Sequence, residues 1–409
     1  MNARNQKGPS SLRPSRQAAV ALVLVLVTAC NAQGSVAPAP VPALGPRAIV
    51  EALAADALTG RDNDTPGSLA AQKILVGQVS QFAKPAFPSA QGTAGFLQPF
   101  DRGTNILAVV PGGDLADQYV VIGAHYDHLG TDCPTSDPKD NICNGATDNA
   151  AGVAAAISAA RAIAASGTPR RSVLLALWDK EEDGLLGSKY YTTSPVVPLA
   201  KTVAYVNFDI QGADLLPSLT TTTLLLGAET GGSSLIASAS AAAKASALRT
   251  LQFSLVFGEG RSDHANFVAA GVPSVFFTDS TSSCYHTAQD DTKVVDYTKL
   301  DQEIAAASAL ASDLVTTDTP PIFTSVSARS TYSDAVAMLA IATGAESSLN
   351  RFDPAGQSTV KQYLAAVRAI VKSGAAKFDE AASATLITGA PPFVDAVTQG
   401  RCEAFAPGG

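Results

Sequence analysis

The sequence predicts an α/β fold: a mostly parallel, mixed sheet sandwiched by helices, with a helical segment added at the C-terminus. Three observations predict it. Apolar runs of strand length alternate with Ala-rich runs of helix length between residues 105 and 315. Histidines and carboxylates stand at the C-terminal ends of those strand runs, where open α/β sheets gather ligands. After TTDTPP (316–321) only helical patterns follow, and no histidine.

Taken in order, the chain opens with Arg13 and Arg16 ahead of an apolar run, AAVALVLVLVTA (18–29). Its length suits the apolar core of a signal peptide and falls short of a bilayer span. Val27-Thr28-Ala29-Cys30 resembles a lipobox, which implies that Cys30 becomes the acylated first residue of the mature protein. Residues 1–29 are therefore assigned to a lipoprotein-type signal peptide and 30–46 to a Pro/Ala-rich tether. The expected location is the cell envelope, lipid-anchored to the membrane through Cys30. Asn31 in place of an Asp favours the outer membrane in a Gram-negative host, and plain secretion is the alternative.

Residues 47–59 and 67–82 follow helical patterns, joined by the turn-rich GRDNDTPG. NILAVVPG and QYVVIGAHY are strands bounded by Gly, Pro and Asp; AAGVAAAISAARAIAAS is a helix; SVLLALW is a buried strand. A helix then starts near Leu185. TVAYVNFDI is a strand, SLIASASAAAKASA a helix, VPSVFFTD a strand and DYTKLDQEIAAASALASDLV a long helix. AVAMLAIATG and TVKQYLAAVRAIVKSG supply the helices of the last segment. The expected division is a main domain at 47–318 and a helical accessory segment at 319–409.

Hydrophobic content of 46% against 16% charged residues allows a large core and excludes a disordered chain. Formal net charge is −8, and residues 1–30 carry Arg4, Lys7, Arg13 and Arg16 with no acid, so the remainder is more acidic still. Without a basic stripe, nucleic acid is not an expected partner. No protein partner is predicted. Export makes disulfides possible. With Cys30 set aside, four cysteines allow three pairings. Cys133 and Cys143 flank one polar loop, TDCPTSDPKDNIC, and are paired locally, which leaves Cys284 with Cys402.

All four histidines fall in motifs suited to metal chemistry. His125 and His128 lie in AHYDHLG, His264 in RSDHANF and His286 in CYHTAQDD. Between them stand Asp148 in TDNAAG, Glu181 and Glu182 in LWDKEEDGLLGS, and Asp209 in VNFDIQG. His125, the Glu pair, Asp209 and His286 follow separate strands, so they can converge without a compact motif. Two divalent ions about 3.5–4 Å apart need a shared carboxylate and a few nitrogen or oxygen ligands each. Adjacent Glu181 and Glu182 point different ways, so one can bind metal while the other faces water as a general base.

In this order, LTGRDNDTPG, GTNILAVVPG, AHYDHLG, NGATDNAAG, EEDGLLGS, NFDIQG, RSDHANFVAAGVPS and YHTAQDDT resemble the co-catalytic two-zinc aminopeptidases. Relatives of that family include glutamate carboxypeptidase and glutaminyl cyclase. The resemblance covers about residues 47–318 and implies a zinc-exopeptidase-like fold, peptide substrates and two zinc ions per chain. It implies one zinc on His125, Asp148 and Asp209, and another on Asp148, Glu182 and His286, with Asp148 bridging. Glu181 is the implied general base and Asp127 the carboxylate that orients His125. Tyr285 is a candidate donor to the developing oxyanion, with a plain core tyrosine as the alternative.

His128 is expected to order the Cys133–Cys143 loop. Asp263 and His264 are expected to position the His286 loop, and Arg261 to form an ion pair or meet a substrate carboxylate. The reading is a zinc-dependent aminopeptidase. The alternatives are a carboxypeptidase or dipeptidase, a glutaminyl cyclase on the same core, or an inactive surface-binding lipoprotein.

Overall fold

The computed structural model describes residues 42–135, 137, 139–400, 402, 403 and 405. The signal peptide, Cys30 and most of the tether lie outside the described residues. Among the described residues no helix is long and apolar enough to cross a membrane.

Nine strands form one sheet among the described residues. They are β1 (Lys84–Pro85), β2 (Leu97–Phe100), β3 (Gly103–Val110), β4 (Leu115–His125), β5 (Arg171–Trp178), β6 (Thr202–Phe208), β7 (Thr222–Leu226), β8 (Arg249–Phe253) and β9 (Ser274–Thr278). The order is β1-β3-β5-β4-β6-β9-β7-β8, with β2 also paired to β3. The central strands β5, β4, β6 and β9 run parallel, as expected. The flanks are mixed: β3 is antiparallel to β5, and β7 is antiparallel to β9.

Strands β2, β7 and β8 were not legible beforehand. LQPF carries Pro99, which an edge strand tolerates because the missing N–H faces no partner. TTLLL and RTLQF are five residues each and lack the flanking signals of the longer strands.

The helices on one face are α1 (Pro46–Leu53), α2 (Pro66–Val79), α3 (Ala151–Ala165) and α7 (Tyr297–Thr316). Helix α1 ends earlier than the pattern suggested, because Ala55 takes an extended backbone and a separate 3₁₀ turn follows over Asp56–Arg61. The opposite face is covered by α4 (Leu186–Thr193) and α6 (His264–Ala269), while α5 (Gly232–Ala242) joins the first face beside β7. Under α4 and α6, Trp178, Tyr191, Tyr205 and Phe267 pack ring on ring, with Tyr205 and Phe267 stacked at 4.0 Å. Gly123 on β4 admits this cluster: a Cβ there would lie 2.8 Å from Trp178 Nε1 and from Tyr205 Oη. All eight residues of β5 are buried, which is why it reads as an unbroken apolar run.

Beyond residue 321 come α8 (Tyr332–Ser347), α9 (Pro354–Ser373) and α10 (Glu380–Thr398). Thr331 and Asp334 form a capping box on α8, while Asp353 and Asp379 cap α9 and α10. Helix α10 holds Pro391 and Pro392, a pair that masks it in the sequence; it is kept by burial of Leu386, Phe393 and Val397. These helices share an apolar cluster with Leu226, Leu251, Phe253 and Phe276 of β7, β8 and β9.

Because Phe267 is fully buried against three aromatic rings, Phe267→Ala should cost about 3–5 kcal/mol of stability. The check is a lowered urea midpoint at unchanged slope; a shift worth under 1 kcal/mol would contradict this account of the core.

Candidate metal centre

The parallel registers bring the strand ends level. His125 on β4 pairs with Trp178 on β5, Gly123 with Asn207 on β6, and Phe208 with Phe277 on β9. Residues just beyond each end, Glu181, Glu182 and Asp209, therefore gather beside His125. The segment before α3 adds Asp148, whose peptide bond to Asn149 is cis, and the loop after β9 adds His286.

Asp148 stands at the middle. His125 Nε2 is 3.2 Å from Asp148 Oδ1 and 3.3 Å from Asp209 Oδ1, with Glu181 Oε2 at 4.0 Å. On the other side, His286 Nε2 is 3.2 Å from Asp148 Oδ2 and 3.2 Å from Glu182 Oε2. Thus one oxygen of Asp148 meets each imidazole. Two overlapping groups, His125–Asp148–Glu182 and His125–Glu181–Asp209, present ligand atoms within 4.8 Å of one another.

This donor set fits a metal. Asp148 Oδ1 and His286 Nε2 are buried yet make no hydrogen bond, where buried polar atoms ordinarily do. Imidazole nitrogen and carboxylate oxygen together suit zinc. Positive charge is also drawn here. Burial opposes ionisation of His125, but Asp209 and Glu181 lift its pKa well above the usual range. Burial is likewise outweighed at His286, which Asp148 and Glu182 raise to about 10. Burial would raise Asp148, yet the adjoining imidazoles of His125 and His286 hold it below the usual carboxylate range. Glu181 behaves oppositely: burial, with Asp209, Asp263 and Glu182 nearby, pushes it well up despite His125.

Around this set lies a frame of backbone clamps. Asp127 accepts from the N–H groups of Glu181 at 3.1 Å and Glu182 at 3.2 Å. Its carboxylate is 3.6 Å from His125 Nδ1, while its own backbone carbonyl is closer, at 3.2 Å. Asp127 therefore holds the Glu pair as well as facing His125. Asp290, not singled out beforehand, accepts from Thr147 N at 2.9 Å, Thr147 Oγ1 at 2.8 Å and Asp148 N at 3.0 Å. Its only sequence signal is the position four residues after His286 in HTAQDD. Lys299 on α7, also unforeseen, is buried with its ammonium 2.6 Å from the Ala213 carbonyl and 3.1 Å from Asp279. It ties the segment after Asp209 to the end of β9.

The remaining expectations divide. Tyr285 is 37% exposed and stacks on His286 at 3.7 Å, so it is no core residue. His128 faces the ligand set: its Nδ1 is 2.6 Å from Glu182 Oε1, and its ring meets His286 edge-on. His264 does not hold the His286 loop. It bonds the Gly258 carbonyl at 3.0 Å and stacks on Phe276. Asp263 is fully buried near His125 and Asp209, and burial raises its pKa to about 7. Arg261 is exposed and forms no ion pair among the described residues. Both expected disulfides are present, Cys133–Cys143 and Cys284–Cys402. The first loop leans on the His286 loop, where Ala288 N donates to the Pro134 carbonyl at 3.0 Å.

Residues 105–311, about half of the chain, match Peptidase family M28. Leupeptin-inactivating enzyme 1 of Streptomyces exfoliatus is 30% identical over 198 residues, 45% of this chain and 38% of that one. Aminopeptidase NAALADL1 of Mus musculus is 34% identical over 113 residues, 26% of this chain and 13% of that one. The chain thus spans less than half the length of either relative. The fold is similar to the LapA aminopeptidase of Legionella pneumophila, with a TM-score of 0.52 and 19% identity over 66% of this chain and 70% of that one. It is equally similar to Porphyromonas gingivalis glutaminyl cyclase, with a TM-score of 0.53 and 18% identity over 65% and 96%. Both likenesses concern the fold alone.

His264 yields a pH prediction. Burial lowers its pKa to about 4, against about 6.5 when unfolded. A depressed folded value contributes stability above the unfolded pKa and loses it as pH falls through the folded one. From pH 7 to pH 4 this residue should remove about 3 kcal/mol. The stability difference between His264→Phe and the wild type should shift by that amount in favour of the variant. Urea melts whose difference stays constant across the window would contradict it.

Proposed function

The chain belongs to Peptidase family M28, and from that membership we propose that it is a zinc-dependent aminopeptidase acting on peptides. The observation that carries the reading is the placement of Asp148, with one carboxylate oxygen toward His125 and the other toward His286. His125, Asp148 and Asp209 would hold one zinc ion, and Asp148, Glu182 and His286 a second. When bound, zinc supplies Lewis acidity toward a peptide carbonyl and makes water easier to deprotonate.

The chain's own residues do the rest. Glu181 is the residue of the set not needed as a ligand, and its burial favours taking up a proton, as a general base must. Its carboxylate receives the proton of the attacking water and returns it to the departing amine, so the base is regenerated. Asp127 keeps the Glu181 backbone, and hence that carboxylate, in place. Tyr285 stacks its ring on that of His286, and its hydroxyl is the group assigned to donate to the oxyanion as the carbonyl becomes tetrahedral.

Two tests follow. Glu181→Gln should keep zinc at the wild-type level and lose about 10²–10⁴-fold in turnover of aminoacyl p-nitroanilides. Near-wild-type rates would remove Glu181 from the proton path. In the wild type a chelator should abolish the release and zinc restore it. Intact zinc without release of N-terminal residues would move the reading to a carboxypeptidase, dipeptidase or cyclase.

Export with lipid anchoring at Cys30 is part of the same proposal. The lipobox-like VTAC supports it, as do two disulfides, which belong to an oxidising compartment. Cys30→Ala should move the protein from the membrane fraction to the soluble one; unchanged membrane association would overturn the anchor.

A further inference from the structure

Arg61 is fully buried, yet its guanidinium forms no ion pair among the described residues. Every hydrogen bond that it makes goes to a backbone carbonyl. Nε donates to Tyr126 at 2.9 Å, Nη1 to Leu53 at 2.7 Å and to Asn144 at 2.6 Å, and Nη2 to Gly145 at 3.1 Å. Tyr126 lies between His125 and Asp127, and Asn144 and Gly145 lie just before Asp148. One rigid planar group therefore spans the loop that carries one set of ligands and the loop that carries the bridging carboxylate. Lysine has no fork of this kind.

The backbone is bent to bring Arg61 there. Thr59, Gly60 and Arg61 have φ of 46°, 72° and 51°, a left-handed run that side chains other than glycine adopt at a cost. The glycine is required: a Cβ on Gly60 would lie 2.1 Å from the Gly130 carbonyl oxygen. Burial pulls the guanidinium down to about 10, against the support of Asp127, Asp148, Asp290 and Glu182. A desolvated cation and a strained turn are retained beneath the metal centre, and neither adds apolar packing.

We infer that Arg61 is a positioning residue for the metal centre, setting the spacing between the His125 loop and the Asp148 loop. This rests on the metal-centre reading above. It has a sign that electrostatics alone would reverse. Removing a cation beside buried carboxylates would by itself strengthen binding of a dication, whereas loosening the two loops weakens it.

The test is zinc affinity of the full chain by chelator competition, on protein verified as folded by circular dichroism. Arg61→Gln should weaken zinc binding by about 10–100-fold, the range seen when groups that hold metal ligands are removed. Arg61→Lys keeps the charge and loses the fork, so it should still weaken binding by about tenfold; it serves alone if the Gln variant does not fold. Phe393→Ala, in the distant C-terminal core, should lower stability and leave zinc affinity unchanged. Wild-type affinity in Arg61→Lys, tighter binding in either Arg61 variant, or an equal loss in Phe393→Ala would overturn the assignment. Failure of the wild type to take up zinc would overturn the metal-centre reading itself, and this inference with it.

Discussion

Repulsion among buried carboxylates is the constraint on which the rest of the structure depends. Asp148, Glu181, Glu182 and Asp209 lie around two imidazoles, largely out of water. Left alone, such a group would spread apart or take up protons. A dication or a protonated imidazole relieves the repulsion, which is why His125 and His286 shift upward together while Asp148 shifts downward. The same field separates the two neighbouring glutamates. Glu182, paired with His128 and His286, is held down, and Glu181 is pushed up. Adjacent residues of one type thus acquire different chemistry from their surroundings.

Holding the group together falls mainly to backbone clamps. Asp127 grips the N–H groups of Glu181 and Glu182, and Asp290 those of Thr147 and Asp148. Lys299 and Glu303 hold the turn after Asp209, through Ala213 and Gly212. Arg61 collects carbonyls from beneath. In each case a buried ionisable side chain bonds peptide groups of a loop that carries a ligand. The loops are irregular, so their peptide groups are free for this use. The buried charges gain the hydrogen bonds without which burial would cost several kcal/mol.

The outer layer adds constraint on one side. The Cys133–Cys143 loop and the His286 loop touch through Pro134, Ala288 and Gln289. The second disulfide ties the His286 loop to Cys402, beyond the last helix. His286 and Tyr285 are the more exposed members of the site, and they lie on the loop that these links restrain.

The sequence by itself determined the central sheet, the helices with simple periodicity and the residues that form the cluster. Those features are local: an unbroken apolar run such as SVLLALW, or a histidine at a strand end, carries its meaning in a few residues. It did not reveal β7, β8 or α10, whose short length or internal prolines make them depend on packing against one another. Nor did it reveal Asp290, Lys299 or Arg61, or that His128 reaches Glu182 while His264 turns away to Gly258. An acid in HTAQDD, a lysine in YTKLDQE or an arginine in LTGRD looks like any solvated polar residue. Only the tertiary structure decided these roles. A buried charge is specified by the peptide groups that surround it, and those come from segments up to 143 residues away in the chain.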